Sequence, residues 1–80
     1  MRLPRDVSGA ALAGALGRLG YTVTRQTGSH IRLTRAHPTQ HHVTVPNHAS
    51  LKVGTLNAIV RDVADANALS RDDVVRRLFD

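Results

Sequence analysis

Between Tyr21 and Pro46 the apolar residues fall on every second position, while on both sides they recur at three- and four-residue intervals. Tyr21 and Val23, Ile31 and Leu33, and Val43 and Val45 alternate with Thr22, Thr24, His30, Arg32, Thr34, His42 and Thr44. A period of two gives three short strands with one apolar face each. The turn residues QTG and the loop AHPTQ (36–40) separate them, and Pro46 ends the third strand because it lacks an N–H for a central ladder. Upstream, Leu12, Leu16 and Leu19 form a helical stripe between a Ser8 cap and a terminating Gly20, with Gly9, Gly14 and Gly17 weakening the helix. Downstream, Leu56, Ile59, Val60 and Val63 mark a second helix. Ser70 and Asp73 open a short third one that turns Val74, Val75, Leu78 and Phe79 inward.

The order α-β-β-β-α-α predicts an α+β domain: a three-stranded antiparallel sheet with helices on its apolar face and its polar face open. No repeat, linker or low-complexity tract divides the 80 residues, so residues 1–80 are read as one domain. A chain this short buries only roughly 60–65 % of its unfolded surface. Any site is therefore expected to be a surface patch. Without cysteine the chain uses neither disulfides nor thiolate zinc. No apolar run reaches membrane length and MRLPRDVSG lacks the apolar core of a signal peptide, so the expected location is cytoplasmic, with no membrane partner.

The net charge of +5, carried by ten arginines and Lys52, fits a phosphate-bearing or acidic partner. The competing reading is that the arginine bias reflects the base composition of the coding sequence, and the charge favours nucleic acid over it. With Tyr21 and Phe79 as the sole aromatics, base stacking on an aromatic platform is not the expected binding mode.

Pairing inward residues with inward residues sets Leu33 opposite Val43 and Ile31 opposite Val45 on one side, and Leu33 opposite Val23 and Ile31 opposite Arg25 on the other. The outer face then carries Gln26, His30 and Pro46 in one row and Thr24, Arg32 and Thr44 in the next. His48 falls just past the third strand on the His30 side. His42 lies two rows away, on the order of 12 Å at strand rise.

His30, in GSHIRL, is the residue whose type and place point most to chemistry. An imidazole can move a proton to or from a hydroxyl or a leaving oxygen. Arg32 shares its face and can clamp phosphate oxygens with its planar fork. His48 is either a second proton carrier or a loop histidine capping the second helix. Ser29 faces the apolar side by parity, where its hydroxyl would satisfy turn backbone. Arg25 and Lys52 join Arg32 as candidate phosphate-binding cations, with Lys52 just ahead of a helix start, GTLNAI, that is either a phosphate cradle or an ordinary N-terminus. His37, His41 and His42 lie close enough in sequence to hold one Zn²⁺ or Ni²⁺, but no carboxylate or cysteine nearby completes the set, and no metal site or cofactor is assigned.

The segments LGRLGYTVTRQTGSHIRL, HVTVPNH and KVGTLNAIVRD, in this order and spacing, resemble those of the HicA-type toxins of bacterial and archaeal toxin–antitoxin pairs, which are mRNA interferases. The resemblance covers Ser8 to about Asp62. It implies a double-stranded-RNA-binding-like α-β-β-β-α fold, cleavage of mRNA by the histidine of the GSH segment, here His30, and neutralisation by a cognate HicB-type antitoxin. Here DVADANALS (62–70) is about one helical turn longer than the family's corresponding step, which leaves the placement of the last helix open. Two function classes remain: an endoribonuclease toxin, and a basic module that holds nucleic acid without cutting it.

Overall fold

The computed structural model describes residues 2–80. Helix α1 (Gly9–Leu16) runs through a 3₁₀ turn (Gly17–Leu19) into the strands β1 (Thr22–Gln26), β2 (His30–Arg35) and β3 (His41–Pro46), followed by α2 (Val53–Ala66) and α3 (Arg71–Phe79). The strands form one antiparallel sheet in the order β1-β2-β3. The architecture is the α-β-β-β-α-α arrangement that the change of period predicts, consistent with a double-stranded-RNA-binding-like α+β fold.

The helix ends follow local chemistry. Ser8 Oγ accepts from Ala11 N–H at 3.0 Å, and Gly20 closes the 3₁₀ turn in the left-handed region at φ 88°, where a glycine pays no Cβ penalty. Ser70 Oγ caps α3 by accepting from Asp73 N–H. The extra residues 62–70 resolve into the last turn of α2 and its stop. Leu69 N–H reaches back to Ala64 C=O (3.0 Å) and Ala68 N–H to Asp65 C=O (3.4 Å), with Ala68 at φ 52°. That is a Schellman pattern with alanine where glycine is usual, and it turns the chain directly into α3.

Ile31, Leu33, Val43 and Val45 are buried, and with Leu12, Leu16, Leu56, Val60, Val63, Val74, Val75 and Leu78 they make the core. Leu33 pairs with Val43 and Ile31 with Val45, as the inward parity requires. Two expectations fail on β1. The strand is exposed throughout and Val23 is half-exposed, because α1 lies over β2 and β3 and α2 over β3, leaving the edge strand uncovered. The register also slips: Val23 faces Leu33 as expected, but a bulge at Thr24 places Arg25 opposite Arg32 and Gln26 opposite Ile31. Ile31 is therefore not paired with Arg25, and Gln26 does not share the His30 row.

Gly9 is more than a weak spot in α1. A Cβ there would lie 2.0 Å from the Pro46 carbonyl oxygen, and Gly9 N–H donates to His48 C=O at 2.9 Å. The start of α1 thus rests backbone-to-backbone on the end of β3. A further bond from Leu51 N–H to Val7 C=O, 2.7 Å, ties the following loop to the same place.

Candidate active site

The site begins at the Thr27–His30 turn. Thr27 Oγ1 accepts from His30 N–H at 3.1 Å, and Thr27 N–H donates to His30 C=O at 2.9 Å. One hydroxyl so satisfies the backbone that a turn leaves unpaired. The tight closure delivers His30 as the first residue of β2, exposed on the polar face opposite Pro46. Ser29 does not face the apolar side. It is exposed, its hydroxyl lies 3.0 Å from His30 Nδ1, and its carbonyl accepts from Asn47 N–H at 2.9 Å. Parity fails for Ser29 because it precedes the strand, inside the turn, and Thr27 takes the backbone role assigned to it by sequence. With Nδ1 held by Ser29, His30 Nε2 is the ring nitrogen that faces solvent.

The Asn47–Ser29 bond extends the β2–β3 pairing one step beyond His30–Pro46. His48 follows immediately, exposed, at the same end of the sheet. Its main chain docks α1, and its ring has no hydrogen-bond partner among the described residues. It does not cap α2: that helix starts at Val53 behind Lys52, with no side-chain cap, so the reading of His48 as an α2 cap is corrected. Lys52 sits at this uncapped N-terminus and is exposed.

Arg32 lies two residues along β2 from His30, exposed, opposite Thr44 on one side and Arg25 on the other. The next outer row joins Thr34 to His42 and, through the bulge, to Thr24: Thr34 Oγ1 is 2.9 Å from both Thr24 Oγ1 and His42 Nδ1. Thr24 therefore belongs to the Thr34 row and not to that of Arg32 and Thr44. No Asp or Glu occurs in β1, β2 or β3. The open face carries imidazoles, guanidiniums and hydroxyls, which can donate to phosphate and exchange protons.

At the far end of the sheet the same residue types are tied down. Arg35 follows Ile31 and Leu33 in parity and is 3 % exposed. Its guanidinium donates to Thr39 C=O at 3.0 and 3.2 Å, to Thr39 Oγ1, to Ala66 C=O at 3.1 Å and to Asn67 Oδ1. Asn67 Nδ2 donates to the Tyr21 hydroxyl, which lies 2.6 Å from His41 Nδ1, while His41 Nε2 is 3.2 Å from Asp62. A directional chain from Asn67 through Tyr21 and His41 to the carboxylate satisfies every member. Sequence reading missed Arg35 altogether, although the i, i+2, i+4 parity of Ile31, Leu33 and Arg35 was the available signal. His41 and His42, adjacent on β3, point to opposite faces with separate partners, so the three histidines of 37–42 do not converge.

A family model described as HicA toxin of bacterial toxin-antitoxin matches residues 9–64, from the start of α1 through most of α2. No match is found among curated proteins or solved structures.

Proposed function

This chain belongs to the HicA toxin family of bacterial toxin–antitoxin pairs, and from that premise we propose that it is an endoribonuclease, an mRNA interferase using His30 and no metal ion. The observation that carries this reading is His30 itself: exposed at a strand end, held through Nδ1 by the Ser29 hydroxyl, on a face with cations and no carboxylate.

RNA supplies its own nucleophile. His30 Nε2 takes the proton of a 2′-hydroxyl as its oxygen bonds to the adjacent phosphorus, and the P–O5′ bond breaks. The leaving 5′-oxygen receives a proton from an imidazolium or water, and His48, at the same end of the sheet, is the second group available for that transfer. Arg32 and Arg25, exposed on the same face, bind RNA phosphate and hold the strand against His30, and Lys52 is a further candidate phosphate contact. A divalent cation would need carboxylate oxygens, which the open face lacks. The partners of this reading are mRNA as substrate and a cognate HicB-type antitoxin with acidic groups, which occludes the open face and hides His30 and Arg32.

Incubation of the purified protein with single-stranded RNA, with and without EDTA, tests the proposal. Cleavage is expected to persist in EDTA and to leave 2′,3′-cyclic phosphate and 5′-hydroxyl ends. Activity that disappears with EDTA and returns with Mg²⁺ or Zn²⁺ overturns the mechanism, and RNA binding with no cleavage at all returns the chain to the class of non-cutting modules.

A further inference from the structure

We propose that the bulge in β1 builds a two-arginine clamp, Arg25 with Arg32, that grips a single RNA phosphate one nucleotide from the bond cut at His30; the position of that phosphate rests on the cleavage reading above. In a regular ladder, alternation from the Val23–Leu33 pair would set Arg25 opposite Ile31. The extra residue at Thr24 moves it opposite Arg32 instead. Bulges commonly re-aim a side chain in this way beside functional sites.

The product is a pair of like charges facing each other across neighbouring strands, an arrangement that destabilises a sheet unless an anion lies between them. Nothing among the described residues supplies one. All six acidic residues lie outside the strands, and neither the Arg25 nor the Arg32 guanidinium has a hydrogen-bond or ion-pair partner among the described residues. Arg18 reaches carbonyls at the end of α3, Arg35 is buried on Thr39 and Ala66, and Arg76 pairs with Asp73, while Arg2, Arg5, Arg61 and Arg77 lie outside the sheet. Arg25 and Arg32 are held together by the backbone and by no counter-charge.

Two planar forks on adjacent strands match the tetrahedral display of phosphate oxygens, which accept from several directions at once. Arg32 stands two residues from His30 on the same face, a strand rise of roughly 6.6 Å, close to one nucleotide step of an extended backbone. A phosphate gripped there fixes its neighbour at His30 Nε2. The grip reads no base, so it supplies affinity and register and not sequence preference.

The test uses the full chain and a fully 2′-O-methylated single-stranded RNA, which binds but cannot be cut, so its readout is independent of catalysis. Affinity is measured against salt for the parent, Arg25→Ala, Arg32→Ala, the double variant, and Arg61→Ala on α2 as a control. Each single clamp variant is expected to lose roughly tenfold, the double scarcely more, and the log–log salt slope of the double to fall by about 0.7, the value for one phosphate of a single strand. Without RNA at low salt, Arg25→Ala should melt no lower than the parent. Additive losses with a slope change of about 1.4 would mean two separate phosphates and overturn the clamp. So would losses no greater than those of Arg61→Ala, including the case in which Arg25→Ala weakens only an acidic protein partner. Failure of EDTA-resistant cleavage alongside non-additive binding would remove the chemistry at His30 and leave the clamp standing.

Discussion

The two ends of this sheet hold the same kinds of side chain and use them in opposite ways. At one end His30 and Arg32 are exposed, the His30 ring bonded only to the neighbouring serine hydroxyl and the Arg32 guanidinium to nothing among the described residues. At the other, Arg35 is buried on three carbonyl or amide oxygens and His41 is fixed between Tyr21 and Asp62. A guanidinium surrounded by carbonyls holds the β2–β3 loop to the end of α2. The same group facing water is available to a ligand. Residue type therefore says little about role until partners are counted, and substitution should separate the two ends cleanly.

The widest separation is expected for His30→Ala. Loss of a proton-transfer group should lower RNA cleavage by roughly 10²–10⁴-fold, while the melting temperature stays within a few degrees of the parent because the residue is exposed. A large fall in melting temperature, or cleavage at the parent's rate, breaks the comparison. Arg35→Ala should do the converse. It strands buried carbonyls and should cost about 2–4 kcal/mol, seen as a fall in melting temperature of roughly 10–25 °C, with cleavage per folded molecule retained at low temperature.

Glycines in α1 sharpen the contrast further. Gly9→Ala drives a methyl into the Pro46 carbonyl and should cost about 1–3 kcal/mol in urea unfolding. Gly14→Ala meets no atom within 4 Å and should stabilise by up to about 1 kcal/mol. The smallest effect belongs to Ser29→Ala. Losing one exposed hydrogen bond to His30 Nδ1, about 0.5–1.5 kcal/mol, should lower kcat roughly two- to tenfold with KM and melting temperature unchanged.

Much of the framework was legible in the sequence because periodicity carries it. The stripe from Leu56 to Val63 and the inward pairs Leu33–Val43 and Ile31–Val45 follow from spacing alone, since burial selects one face. What escaped was set by distant backbone. The bulge at Thr24 has no local mark, neither glycine nor proline, and no window of sequence announces that Arg25 will face Arg32. Val23 reads as core by alternation but sits on a strand that no helix covers. Gly9 looks like a weak helix residue until the Pro46 carbonyl is found against it. Arg35 was hidden by the habit of placing charges outside, although its parity pointed in. In the candidate site, His30, Arg32 and their shared face were readable from alternation. The anchoring of His30 by Ser29 was not, because turn residues do not obey strand parity.

The contact between Gly9 and Pro46 also governs how the site can move. Amides of Gly9, Asn47 and Leu51 are bonded to His48, Ser29 and Val7 respectively, so the start of α1, the end of β3 and the turn before His30 share one set of main-chain bonds. Local opening in a small domain proceeds by cooperative units bounded by such bonds. The mouth of the site therefore belongs to the same unit as the first helix and does not breathe as a free loop. His30 and His48 keep their relative placement through fluctuations that leave α1 seated, and lose it together when that helix lifts.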